Sequence, residues 1–133
     1  MKTMLVAIAS SFVLLASQSL EAGMIADAPE SYEKIEKHCK VAMKRSPRLI
    51  DYCITNQLRA LRALEQYWIE REASNPEESK TMVNISLDAI ESSPAKGGQK
   101  WVDWVLVKVK FKRAMQDYLS SQGKSDSNLD YGL

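Results

Sequence analysis

The chain has 133 residues, of which 45% are hydrophobic and 26% charged, and its formal net charge is +1. This length allows one domain. A charge so close to zero argues against a dedicated nucleic-acid-binding protein, because such domains are usually strongly basic. We therefore expect no nucleic-acid partner.

Residues 1–22 have the pattern of a secretory signal peptide. Lys2 gives a positive start, residues 4–16 form an apolar core, and small or polar residues follow. We expect cleavage after Ala22, and cleavage after Ser19 is the alternative. The core is shorter than the roughly 20 residues that a membrane-spanning helix needs. An N-terminal anchor that is never cleaved is the alternative. The pattern predicts a periplasmic or secreted protein.

The two cysteines, Cys39 and Cys53, predict one disulfide, because an exported chain meets an oxidising environment and two thiols allow one pairing. A pair of buried free thiols is the alternative. His38 is the only histidine, and no second ligand pair has the spacing of a zinc site. We expect no metal and no cofactor.

A first helix is predicted over 28–45 and a second over 47–73. Asp27 and Pro29 indicate the start of the first, and Ser46 followed by Pro47 indicates the start of the second. Both cysteines lie seven residues from Ser46, so an antiparallel hairpin would place them at matching heights, roughly 10 Å from the turn. Such a disulfide is worth about 3 kcal/mol.

A third helix is predicted over 76–92, where Asn75 and Pro76 indicate its start. Residues 99–121 are ambiguous, because 105–112 alternate as a strand does, whereas Trp104, Val107 and Phe111 form a helical stripe. We predict a helix, since a lone strand would have no partner. The expected core is Ile35, Ile50, Ile54, Leu61, Leu64, Trp68, Val83, Ile90, Trp104 and Phe111.

The sequence around the cysteines resembles a family of small secreted bacterial proteins of unknown function. Their motif has a cysteine, a Glu-Trp-Pro-Asp-Asp-Phe run, and then Tyr-Cys with a downstream Gln and Ala. The matching residues are Cys39, Tyr52, Cys53, Gln57 and Ala60. Residues 42–47 differ from the acidic-aromatic run, and residues 101–104 resemble a degraded second copy of it. The resemblance implies a helical, exported, non-enzymatic protein.

Charges are distributed unevenly along the predicted hairpin. Its tip is basic and defines a candidate anion-facing patch, Lys37, Lys40, Lys44, Arg45 and Arg48. Five acids between Glu65 and Glu78 make the opposite end acidic. Complementarity to helix dipoles and solubility would also explain this pattern. We interpret Glu65, Glu70 and Glu72 as solvated rather than catalytic, because helical spacing places them along the helix surface without an apolar pocket that would raise a carboxylate pKa.

The sequence thus predicts an all-α domain over 23–121, of about four helices built on a disulfide-stapled antiparallel hairpin, with a disordered tail over 122–133. The expected function is a non-catalytic interaction or inhibitor-type protein of the bacterial envelope that binds a protein or glycan. The first alternative binds membrane surfaces or anionic glycans through basic helix faces. The second, an enzyme, would need a pocket of titratable groups that the helical spacing does not assemble. The oligomeric state is not predicted.

Overall fold

The computed structural model describes residues 25–133, and all regular elements within this range are helical. The α-helices are α1 (Pro29–Met43), α2 (Pro47–Ser74), α3 (Ser79–Glu91), α4 (Trp104–Ser121) and α5 (Ser127–Gly132). A 3₁₀ turn over Pro76–Glu78 precedes α3. The predicted all-α class is confirmed. The signal peptide predicted for residues 1–22 lies outside the described residues.

Helices α1 and α2 form the predicted hairpin. Ser46 caps α2 as expected, since its hydroxyl accepts a hydrogen bond from the backbone N–H of Leu49 at 3.4 Å. The Cys39–Cys53 disulfide links the two helices, with 5.7 Å between the Cα atoms. Asp27 is not the cap of α1, because its carboxylate instead pairs with Arg62 across the hairpin at 3.0 Å.

The core lies between α2 and α4, with α1 and α3 on either side. Trp68 and Tyr67 of α2 contact Phe111 of α4 edge to face, with ring centroids 6.0 and 5.7 Å apart. Eight of the ten predicted core residues are buried, and the other two, Ile50 and Val83, pack partly buried against them. Edge-to-face contacts add to the burial of large rings.

The ambiguous segment is helical, but α4 begins at Trp104 rather than at residue 99. Asp103 is the N-cap, and its carboxylate accepts a hydrogen bond from the N–H of Leu106 at 3.2 Å. The residues before it form a loop closed by a bridge between Pro94 and Val102. Gly97 allows the turn, because it has a φ of +86° and a side chain there would meet Val41.

The predicted disordered tail is wrong for residues 127–132, which form α5. Leu129 is fully buried, and Lys112 and Gln116 of α4 bond to the backbone carbonyl and the carboxylate of Asp130, at 3.0 and 2.8 Å. The apolar residues of this polar segment, Leu129, Tyr131 and Leu133, are spaced by two and gave no helical signal. The burial of Leu129 depends on partners far away in sequence.

Within residues 25–133, no helix combines the length and the apolar character that crossing a membrane requires.

Candidate functional site

Lys44, Arg45 and Arg48 of the candidate anion-facing patch lie at or next to the hairpin turn, whereas Lys37 and Lys40 lie earlier on α1. Lys37 and Lys40 pair along α1 with Glu33 and Glu36, at 3.7 and 3.4 Å. The remaining three are exposed and make no ion pair within residues 25–133. We call these three residues, Lys44, Arg45 and Arg48, the basic tip.

The backbone at the basic tip is held in an unusual conformation. Lys44 ends α1 with a φ of 51°, and among the described residues it is the one non-glycine residue with a positive φ. Such a conformation costs roughly 1–3 kcal/mol and persists only where the surroundings enforce it. Here the capped start of α2 at Ser46 and the disulfide seven residues away on each side hold the turn.

Exposed apolar side chains surround the basic tip. Val41 and Met43 precede it at the end of α1, and Leu49 and Tyr52 follow it in the first turns of α2. Tyr52 is 64% exposed and Leu49 is 49% exposed. Single exposed apolar residues are common on proteins, but several around unpaired cations form a surface suited to binding.

The predicted acidic end of the hairpin is weaker than its sequence indicates. Glu65 and Glu78 are 1% and 4% exposed, so two of the five acids do not face solvent. The interpretation of Glu65 as a solvated side chain is therefore wrong. Glu70 and Glu77 are exposed, as a surface face requires.

Glu65 binds the chain where it enters the first helix. Its two carboxylate oxygens accept hydrogen bonds from the backbone N–H groups of Ile25 and Ala26, at 2.9 and 3.1 Å. Burial raises the pKa of Glu65, although these two N–H donors oppose the shift. The carboxylate thus serves the fold, since both of its oxygens are occupied by backbone.

A second buried cluster ties the carboxyl-terminal segment to α2. Arg71 forms an ion pair with Glu78, and it donates a second bond to Asp126 at 3.1 Å. The hydroxyl of Tyr67 donates to the same Asp126 carboxylate at 2.9 Å. Burial and the neighbouring Asp126 raise the pKa of Tyr67 well above its usual range, so the phenol stays protonated and remains a donor.

A third polar cluster joins α1, α2 and the loop before α4, and local sequence patterns do not indicate it. Gln57 donates to the carboxylate of Asp103 at 2.7 Å and accepts from the N–H of Trp104, also at 2.7 Å. His38 accepts from the N–H of Lys96 through Nδ1 at 2.9 Å, so a neutral ring carries its hydrogen on Nε2.

The environment of His38 favours this neutral form. Its Nε2 lies 3.9 Å from a carboxylate oxygen of Asp103 and 3.4 Å from the amide nitrogen of Gln57. Burial lowers the pKa of His38, and the negative charge of Asp103 opposes that shift only in part. Gln57 and residues 101–104 both belong to the motif resemblance, and they are in contact in the structure. Their presence in that motif is the nearest indication of this cluster in the sequence.

Within residues 25–133, the titratable groups of these clusters bond to structural partners. Cys39, next to His38, is in a disulfide and so is no nucleophile. No group of three or more His, Cys, Asp or Glu side chains in this range could hold a metal ion. The arrangement is suited to holding three segments together and to presenting the basic tip.

Comparison with known proteins adds no assignment: no family model, no curated protein and no solved structure matches this chain.

Proposed function

We propose that this chain is an exported, non-catalytic binding protein of the bacterial envelope, periplasmic or secreted, whose basic tip contacts an anionic protein or glycan. The signal-peptide pattern of residues 1–22 supports export. The Cys39–Cys53 disulfide also supports it, because structural disulfides persist in oxidising compartments. The resemblance to small secreted bacterial proteins stays a prediction and agrees with this proposal.

One observation carries the binding role. Lys44, Arg45 and Arg48 are exposed and have no acidic partner within residues 25–133, whereas Lys37 and Lys40 on the adjoining helix have one. Unpaired cations attract an anionic partner without first breaking an internal ion pair. Leu49 and Tyr52 beside them supply apolar area that a binding partner would cover.

The contacts of the titratable groups whose pKa is shifted favour a binding role over a catalytic one. Glu65 accepts from two backbone N–H groups, and His38 accepts from a third. Tyr67 and Arg71 both point at Asp126. Each of these groups is occupied by a structural partner, so each is better suited to holding the fold than to reacting with a substrate.

The oxidised protein, immobilised and exposed to envelope extract, tests the proposal. Arg45→Glu/Arg48→Glu should lower capture of the bound component at least tenfold. Lys80→Glu/Lys100→Glu is the matched control, since both lysines are exposed and the change in net charge is the same. Equal capture by the wild type and the tip variant would remove the basic tip from the proposal.

The second candidate is binding to a membrane surface or an anionic glycan. The exposed Met43, Leu49 and Tyr52 beside the basic tip favour it, because cations with neighbouring apolar and aromatic side chains are typical of interfacial contacts. Cosedimentation with vesicles containing anionic lipid, and chromatography on a sulfated glycan, separate these two ligands. If the protein binds neither the vesicles nor the sulfated glycan, this candidate is removed and a protein partner is left.

A further inference from the structure

Residues 93–103, which we call the connecting loop, join α3 to α4 and are held against α1 by two hydrogen bonds. The backbone N–H of Lys96 donates to Nδ1 of His38 at 2.9 Å. The side-chain amide of Gln99 donates to the backbone carbonyl of Lys34 at 3.0 Å. The loop therefore bonds to α1 at two points, and one of the two is a titratable imidazole.

The far end of the connecting loop is held by different groups. Gln57 of α2 donates to the carboxylate of Asp103 and accepts from the N–H of Trp104, both at 2.7 Å. The carboxylate of Asp103 also caps α4 through the N–H of Leu106. These bonds do not use the imidazole, so they can persist while the middle of the loop leaves α1.

His38 faces two charged residues of the connecting loop and one uncharged residue of α2. Its Nε2 lies 3.9 Å from a carboxylate oxygen of Asp103 and 3.4 Å from the amide nitrogen of Gln57. The positive charge of Lys96 acts on the ring in the opposite direction to Asp103. On α1 itself, the ammonium of Lys34, one turn earlier, lies over the ring of Trp101, 5.3 Å from its centroid. Of these groups, Asp103 is the one that attracts an imidazolium.

A proton on Nδ1 would change the partner of the imidazole. In the neutral ring Nδ1 accepts from Lys96, whereas both ring nitrogens of an imidazolium are donors. Two donors would then face each other, and the bond to the loop would be lost. At the same time Nε2 would gain a charge-assisted attraction to Asp103. Protonation thus favours the fixed end of the loop over its middle.

The closed loop balances apolar burial against a polar group without a partner. The ring of Trp101 is 8% exposed and contacts Trp104 edge to face, with 6.0 Å between the ring centroids. This burial favours the closed form. The indole N–H of Trp101 is buried too, and it has no hydrogen-bond partner within residues 25–133. Water would satisfy this donor in an open form, so the closed form is held by less free energy than its buried area indicates.

We propose that the connecting loop is an acid-released latch, in which protonation of His38 detaches residues 94–101 from α1 and exposes the ring of Trp101. The start of α4 stays in place. Gly97 lies against Val41, so opening also widens the apolar surface beside the basic tip. The latch goes beyond the proposed function, since it requires no ligand at the basic tip.

The sign of the pH dependence agrees with this latch. Burial lowers the pKa of His38 in the closed form. Opening gives the ring access to water and raises its pKa towards the usual 6.5, so the open form binds the proton more readily. The open population therefore grows as the pH falls below that value.

Amide hydrogen exchange of the oxidised protein, followed by NMR from pH 7.5 to pH 4.5, tests the latch. Protection of the amides at 95–101, corrected for the intrinsic exchange rate, should fall at least tenfold as the His38 ring titrates. The midpoint of that titration is read from the ring's own chemical shifts and should coincide with the midpoint of opening. Amides at 107–119 should keep their protection.

Three results of the same titration would overturn the latch. The loop could stay protected after the ring has titrated, which would separate His38 from opening. The loop and α4 could lose protection together, which would indicate global unfolding. The ring could also fail to titrate in this range, so that protonation would not be available to open the loop.

His38→Gln and Gln99→Ala form a matched pair, because each changes one of the two bonds between the loop and α1. In His38→Gln, protection at 95–101 should stay within threefold across the pH range, since glutamine does not titrate. In Gln99→Ala, protection should be lower at pH 7.5 and should fall by the wild-type factor. Acid opening of wild-type size in His38→Gln would overturn the role of the imidazole. The wild-type midpoints need neither variant, so the latch stays testable if one of them does not fold.

Acrylamide quenching of tryptophan fluorescence measures exposure of the ring. Quenching of the wild type should rise between pH 7.5 and pH 4.5, and Trp101→Phe should lose at least half of that rise. An equal rise in both proteins would show that the ring of Trp101 is not the group exposed, and it would overturn the latch as described.

Discussion

At the scale of single residues, His38 holds the loop before α4 through one nitrogen. Its Nδ1 accepts from Lys96, so protonation of that nitrogen would replace a hydrogen bond by two facing donors. Burial lowers its pKa below the 6.5 of an unfolded chain, so the unfolded state binds the proton first as the pH falls. The stability that His38 contributes is complete above pH 6.5 and is lost as the pH falls through the folded-state pKa.

The first prediction follows from this sign. We expect the wild type to lose more unfolding free energy between pH 7 and pH 5 than His38→Gln, which does not titrate. Urea unfolding at the two pH values measures both losses. His38→Gln serves as the reference because Glu65 also titrates, and its pKa is raised. The contribution of Glu65 to stability is therefore lost as the pH rises, which is opposite in sign to that of His38. The same loss in both proteins would contradict the role of the imidazole.

Glu65 gives the second prediction. Glu65→Ala leaves the N–H groups of Ile25 and Ala26 without their acceptors, so we expect a loss of about 1–3 kcal/mol in unfolding free energy. Glu65→Gln, which keeps one acceptor oxygen, should lose less. Glu70→Ala is the control, because Glu70 is exposed and its removal should change stability by about 0.5 kcal/mol or less. Equal effects of Glu65→Ala and Glu70→Ala would contradict the structural role of Glu65.

The sequence could not predict these buried polar residues, and the reason is distance along the chain. Glu65 lies 40 residues from Ile25, and Gln57 lies 46 residues from Asp103. Helical spacing shows which side chains share a face, but it does not show which distant backbone groups that face will meet. Glu65 and Glu70 therefore looked alike in the sequence, although one is buried and the other is not.

At the scale of elements, the hairpin is the part that the sequence predicts best. Its signals are local: a capping serine, a proline at the first helical position, and two cysteines equally far from the turn.

The third prediction concerns the Cys39–Cys53 disulfide. Cys39→Ala/Cys53→Ala should lose about 3 kcal/mol of unfolding free energy, mainly because the unfolded chain gains freedom. Unfolding of the wild type with reductant should match the variant, and an unchanged midpoint in either case would contradict the stapling role.

The tail helix gives the fourth prediction. Leu129 is fully buried, whereas Tyr131 two residues later is 90% exposed. Leu129→Ala should therefore lower the unfolding free energy by about 2–5 kcal/mol, as large-to-small core substitutions do. Tyr131→Ala is the matched control and should leave it within about 0.5 kcal/mol. If the two substitutions have the same small effect, α5 does not pack on the domain as described.

The observed start of α4 at Trp104 lies five residues after the predicted start at residue 99. The helical stripe of Trp104, Val107 and Phe111 predicts the helix, and all three residues are buried. The first five residues of the predicted helix instead complete the loop, because Asp103 caps α4 and its N–H bonds to the carbonyl of Ser93. The helix thus begins where the cap at Asp103 and the backbone bond that closes the loop place it.

At the scale of the whole molecule, folding changes the charge pattern that the sequence presents. Buried ion pairs take Glu78 and Arg71 out of the surface, and Glu65 binds backbone. Pairs along α1 neutralise Lys37 and Lys40. Among residues 25–133, the cations that have no ion pair at the turn are those of the basic tip, which lies beside exposed apolar side chains and is stapled in place by the disulfide.

The fifth prediction concerns the salt dependence of binding, which shows whether the basic tip is the binding surface. The affinity of the oxidised protein for the component captured from envelope extract is measured across a series of NaCl concentrations. We expect wild-type affinity to fall with salt, and the slope to be shallower in Arg45→Glu/Arg48→Glu because screening then has fewer charge contacts to weaken. Parallel slopes in the two proteins would contradict the claim that the basic tip is the binding surface.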